Sequence, residues 1–148
     1  MDISGPHCTS RQIKVELTLE KGMPDICVDP STLQAILTNL VANAVEAMPH
    51  GGILKITTRY VPVLKIVKIE IADTGPGMDK EELTKIFTPF YTTKKPGEGT
   101  GLGLFVSHEM ARKLGGDIKV MSSTRESGQK SGTVFTIEFP TDEASRHK

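Results

Sequence analysis

Four glycines fall at every second position, Gly97, Gly99, Gly101 and Gly103, just after the lysine pair Lys94 and Lys95. From Leu102 onward the pattern turns helical: Leu102, Phe105, Val106, Met110 and Leu114 recur at three- and four-residue steps until Gly115 and Gly116 end them. Glycine carries no Cβ, so the backbone N–H groups of such a loop can close on an anion. The unpaired N–H groups of the helical turn that follows favour negative charge at the same place. This chemistry suits phosphate; the plainer alternative is a flexible linker ahead of a helix. The Walker pattern G-x-x-x-x-G-K-[ST] is missing, and no G-x-G-x-x-G follows a strand, so two commoner phosphate loops are excluded.

A second polar set is Asn39, Asn43 and Glu46, which share one side of a predicted helix from Asp29-Pro30 to about Met48. This set borders the apolar stripe of Leu33, Ile36, Leu37, Leu40, Val41, Ala44 and Met48, so it belongs at the rim of the core. Asparagine is a poor helix former, and its carboxamide oxygen suits a hard cation such as magnesium that arrives with phosphates. The alternative is a surface stripe hydrogen-bonded to its neighbours. A third set is Asp73 followed by Gly75, Gly77 and Met78, at the end of a predicted strand. A carboxylate there can accept from an exocyclic amine while the glycines let a planar ring approach the backbone. A plain turn opening on Asp73 is the competing account.

The elements that must position these residues are legible as patterns. Ile13, Val15, Leu17 and Leu19 alternate with Lys14, Glu16 and Thr18, which predicts a half-buried strand. Ile53–Tyr60 and Leu64–Ala72 read as a hairpin of strands, and Ile118–Ser122 with Thr133–Phe139 as a second pair. Asp79 with Glu82 opens a short helix through a capping box. Phe87 and Phe90 can pin the start of a loop containing Pro96. His108 is expected to be packed or solvated.

The 148 residues fit one domain, and 18 basic against 18 acidic residues argue against a general nucleic-acid or membrane-surface binder. No apolar run reaches bilayer length. Cys8 and Cys27 have no metal-like spacing and read as reduced thiols of a cytoplasmic protein, with Cys27 expected in the core. Residues 1–10 read as a tail or the end of a linker, and those from Thr141 as a charged tail.

Together the segments resemble the catalytic, ATP-binding domain of bacterial sensor histidine kinases, within the superfamily of DNA gyrase, Hsp90 and MutL. NLVANAVEAM (Asn39–Met48) looks like the N box, DTGPGM (Asp73–Met78) the G1 box, IFTPFYTTK (Ile86–Lys94) the F box and GTGLGL (Gly99–Leu104) the G2 box. SGTVFTIEFP (Ser131–Pro140) matches the last glycine-containing element, and order and spacing agree from about residue 11 to 140. The TPFYTTK and NAVEAMP wording looks most like kinases of the nitrogen-regulation type.

The resemblance implies an α/β two-layer sandwich (α+β), a mixed sheet covered on one face by three helices, that binds ATP and Mg²⁺. It implies that Asn43 holds the metal, that Asp73 binds the adenine amine, and that Gly77 and Met78 line the base pocket. Gly99, Thr100, Gly101, Leu102 and Gly103 would wrap the phosphates, and Thr133 would close the adenine end through a water-bridged network. Asn39, Glu46, Gly75, Lys94 and Leu104 complete the expected nucleotide contacts, with a lid at roughly Thr92–Gly101. Asn39, Asn43, Lys94 and Lys95 form the expected catalytic group.

Two departures matter. Glu46 stands where many of these kinases carry Lys or Arg, which leaves Lys94 or Lys95 to face the γ-phosphate. Asn39 stands where ATP-hydrolysing relatives place a glutamate; an amide has no basicity, so transfer is favoured over hydrolysis. None of His7, His50, His108 and His147 has the family's acceptor context of an acidic residue and then proline. The resemblance therefore implies an acceptor histidine on a separate helical dimerisation domain, a response regulator downstream, and a fragment that is monomeric in isolation. A serine kinase of the anti-sigma type and a non-enzymatic nucleotide-binding module are the alternatives.

Overall fold

A computed structural model of the chain describes residues 12–88, 103–124 and 130–141. Five strands, β1 (Ile13–Leu19), β2 (Gly52–Val61), β3 (Ile66–Asp73), β4 (Asp117–Ser123) and β5 (Gly132–Pro140), form one sheet in the order β1-β2-β3-β5-β4. β1 pairs parallel with β2 and the other pairings are antiparallel, so the sheet is mixed. Among the described residues three helices accompany it: α1 (Pro30–Glu46), α2 (Lys80–Leu83) and α3 (Gly103–Lys113).

α1 and α2 start where the sequence provides a cap. The Asp29 carboxylate accepts from the Thr32 N–H at 3.0 Å and the Thr32 hydroxyl at 2.7 Å, satisfying donors that have no partner inside α1. Asp79 and Glu82 close the expected capping box of α2 reciprocally.

Period-two alternation puts Ile69, Ile71, Phe135, Ile137 and Phe139 on one sheet face, where they bury against Ile36, Leu40, Val41, Ala44, Val45 and Met48 from α1 and its end. The opposite face is polar and carries Arg59–Glu70 at 3.1 Å and a shared pairing of Glu138 with Lys119 and Lys68 at 3.1 and 3.5 Å. One covered face and one polar face make the two-layer sandwich that the family resemblance implies.

Two expectations are corrected. β1 exists, but Val15, Leu17 and Leu19 are exposed and only Ile13 of its apolar row is buried. β1 lies at the edge of the sheet, whereas α1 lies against β3 and α3 against β4. Cys27 is exposed. Its neighbours Ile26 and Val28 pack partly against the core, while Cys27 between them faces outward.

Candidate functional site

At the end of β3, Asp73 is buried and in register with Thr133 of β5, which is itself in register with Ser122 of β4. The three side chains therefore form one row across three strands. Asp73 Oδ1 accepts from the Gly75 N–H at 2.9 Å, and the Thr133 backbone N–H also donates to the carboxylate. Burial raises the Asp73 pKa above its ordinary value, and these two N–H groups offset the rise only in part. Ser122 Oγ accepts from the Met78 N–H at 2.7 Å and lies 2.8 Å from Thr133 Oγ1 and 3.1 Å from the Gly132 carbonyl oxygen.

The glycines around Asp73 are required by this packing. Gly77 has φ 77°, and a Cβ there would run into the Ser123 carbonyl. Gly132 lies against the Asp73 backbone so closely that a side chain would collide with its carbonyl. Gly75 abuts the end of α1: a Cβ would meet the Ala47 carbonyl oxygen at 2.6 Å. Thr74 also reaches back to Met48, donating from its N–H to Sδ at 3.4 Å. The loop after β3 is thus docked against the end of α1 on one side and β4 on the other.

α1 presents the polar edge expected of it. Asn39 and Asn43 are half-buried at the rim of the core and Glu46 is exposed. Asn39 Nδ2 donates to Ser107 Oγ at 3.0 Å, and Ser107 is fully buried on α3. This bond ties the first half of α3 to the edge of α1. Gly103 opens α3, and Leu104 packs partly against the core. Met78 also packs partly against the core, so its backbone and side chain are both held.

The structure sets Gly75 and Thr74 against Ala47 and Met48 at the end of α1, Thr133 beside Asp73, Met78 against Ser122, and Asn39 against Ser107 of α3, with Asn43 and Glu46 following Asn39 on the same helix. Lys94, Lys95, Gly99, Thr100, Gly101 and Leu102 lie outside the described residues, as do Phe90 and the expected lid. A depression lined by Asp25, Ile26, Cys27, Val28, Asp29, Lys113 and Leu114 sits at the opposite ends of α1 and α3 and contains none of the candidates.

Sequence reasoning missed three contributors. Ser122 sits on the inward rhythm of Ile118 and Val120, so a polar residue in that row was a signal. Ser107 likewise interrupts an apolar stripe between Leu104 and Ala111. His108 is packed as expected, but its role was not foreseen. It stacks on Phe87 with ring centroids 4.6 Å apart, and its Nε2 lies 3.2 Å from Asp117 Oδ1.

A buried acid at a sheet end, a glycine-shaped loop beside it and a polar helix edge facing a second helix can hold a purine and its phosphates. Comparison with known proteins agrees. The family of histidine kinase-, DNA gyrase B- and HSP90-like ATPases matches residues 28–143. The sensor histidine kinase ZraS of Escherichia coli is 37% identical over 140 residues, which are 95% of this chain and 28% of that protein. Sporulation kinase E of Bacillus subtilis is 34% identical over 140 residues, 95% of this chain and 18% of its own length. The chain thus spans less than a third of these curated relatives. Among solved structures, the catalytic domain of the histidine kinase ThkA has a TM-score of 0.79 at 28% identity, covering 94% of this chain and 86% of that one. Full-length ShkA in complex with AMPPNP has a TM-score of 0.80 at 26% identity, covering 95% of this chain and 28% of that one. The chain belongs to the histidine kinase-, DNA gyrase B- and HSP90-like ATPases, as a catalytic ATP-binding domain of the sensor histidine kinase kind.

Proposed function

We propose that this domain binds Mg²⁺·ATP between the polar edge of α1 and the start of α3, and delivers the γ-phosphoryl group to a histidine on a separate helical dimerisation domain. The observation that carries this reading is the buried Asp73 carboxylate, held in an acceptor orientation by two backbone N–H groups at the start of a loop whose Gly75 and Gly77 leave no room for a side chain. An acceptor fixed in that way selects a base with an exocyclic amine and rejects one with a carbonyl oxygen at the same place.

Asn43 is the residue that would hold Mg²⁺. Its half-buried carboxamide fits a hard cation that keeps most of its sites for phosphate and water, and among the described residues no cluster of three or more His, Cys, Asp or Glu offers another ligand set. When bound, the metal neutralises charge on the phosphates. Asn39 cannot act as a base toward water, being an amide already donating to Ser107. The site then positions ATP without activating a competing nucleophile, which is what transfer to an outside acceptor requires. Lys94 or Lys95 supplies the cation for the γ-phosphate.

The working unit runs from about residue 11 to 140, with tails on either side, and is a monomer when isolated. In the parent protein it acts in the cytoplasm, and phosphate passes on to a response regulator. No helix among the described residues is long and apolar enough to cross a membrane.

The test is to supply Mg²⁺, γ-labelled ATP and a helical acceptor domain of the sensor-kinase type. Acid-labile label on the acceptor histidine is expected. Acid-stable label on a serine would point to the anti-sigma type of kinase, and nucleotide binding with no transfer to any acceptor would leave a regulatory module.

A further inference from the structure

β1 has the alternation of a strand with one covered face, yet most of that face is open. Val15, Leu17 and Leu19 follow the buried Ile13 on the side of the sheet that carries the core, and they are 39%, 55% and 56% exposed. Their register partners in β2 share that side: Leu54 beside Val15 is fully buried, and Ile56 beside Leu17 is half-buried. Lys14 and Glu16 pair at 3.5 Å on the other side. A contiguous apolar row with a polar border marks a docking surface.

The spacing of the helices says what fits there. α3 lies against β4 and α1 against β3, two strands along the order β4-β5-β3-β2-β1. Two strand spacings make about 9.6 Å, and helices packed side by side sit about 8–10 Å apart. Two strands further along is β1, and among the described residues no helix lies at this third place. α2 has four residues, none of them buried, and does not fill it. The wall of this slot is the flank of α1 turned away from α3. Asn39 marks the flank that meets α3, and the half-buried Leu37, two residues earlier and about 200° round the helix, marks the other.

A second copy pairing edge to edge would satisfy the free backbone of β1 but leave the apolar row open. A helix with an apolar stripe covers the row itself. The chain also enters the fold through β1, whose first residue is Ile13. A helix ahead of β1 in the same chain is therefore tethered beside the slot, at an effective concentration of roughly millimolar order, where a short row of leucines is enough to hold it. The stretches matched in ZraS and sporulation kinase E are 28% and 18% of those proteins, so most of each relative lies outside them.

We propose that the slot over β1, floored by Val15, Leu17 and Leu19 and walled by Leu37, docks the amphipathic helix that leads into β1 from the helical dimerisation domain. This rests on the phosphotransfer reading given above. The slot lies across α1 from the Asn39 edge, so the docked helix leaves the nucleotide cleft free.

The test uses the parent kinase with the photoreactive residue p-benzoylphenylalanine in place of Leu19 or, as a control, of Val63, which is 91% exposed between β2 and β3. Leu19 should crosslink to positions three and four residues apart on the preceding helix, and Val63 should not. Leu17→Lys should weaken docking about tenfold, the scale of one buried leucine, and so remove most of the Leu19 crosslink while ATP affinity stays unchanged. A crosslink from Leu19 to β1 of a second copy, a yield no higher than at Val63, or an undiminished yield in Leu17→Lys overturns the proposal. Transfer of labelled phosphate to the acceptor histidine, measured on the same protein, keeps the two readings apart: its absence would strike the phosphotransfer reading, whereas transfer without the Leu19 crosslink would strike only the docking.

Discussion

Asp73 shows how one residue can serve binding against stability. Its pKa is raised, chiefly by burial, so the folded domain binds a proton more readily than the unfolded chain does. The cost to stability is therefore full above the folded pKa and vanishes below the ordinary carboxylate pKa. Asp73→Asn removes that cost while one of the two acceptor positions becomes a donor. We expect the variant to melt no lower than the native chain at neutral pH. The native chain should gain on it as pH falls through this window, measured by thermal unfolding in both buffers. ATP affinity should drop at least about tenfold in the variant. In the native chain affinity should fall on acidification, because a protonated Asp73 can no longer accept two N–H groups and an amine. The acid itself was legible in the sequence, since a carboxylate at a strand end followed by glycines has few uses. Its raised pKa was not, because it depends on a burial that only the register of β3 with β5 creates.

At the scale of elements, α1 and α3 are joined by side chains that no periodicity announces. Asn39 reaches Ser107 across 68 positions of sequence. His108 joins Phe87, just after α2, to Asp117 at the start of β4. His108→Ala should lower stability by about 1 kcal/mol, the size of one stacked aromatic pair, and should loosen the segment around Phe87 more than α1. Hydrogen exchange resolved by segment checks this; uniform loosening would mean that His108 merely fills space. The elements themselves were readable where a local rule acts. Asp29 and Asp79 cap their helices as written, and the hairpin of β2 and β3 and the pairing of β4 with β5 follow from alternation. Contacts between elements were not readable, because hydrophobic spacing fixes which face of a helix is covered and leaves open what covers it. Val45 shows the limit, being buried outside the stripe assigned to α1.

For the whole molecule, the order of the strands decides which apolar residues matter. Leu54 of β2 is fully buried, so Leu54→Ala should cost about 2–5 kcal/mol in denaturant unfolding. Leu17 of β1 is 55% exposed in an equally regular alternating strand, and Leu17→Lys should stay within about 0.5 kcal/mol. Sequence alternation alone ranks these two sites as equals; the edge position of β1 separates them. The same topology brings the ends of α1, β3, β4 and β5 together around Asp73, the place assigned to the adenine. Crystals of the domain grown with magnesium and a nonhydrolysable ATP analogue test this most directly. The account predicts the analogue between the Asn39–Asn43 edge and the start of α3, with its exocyclic amine within hydrogen-bond distance of Asp73. A nucleotide bound elsewhere, or a base in that cleft that leaves Asp73 without the amine, would contradict it.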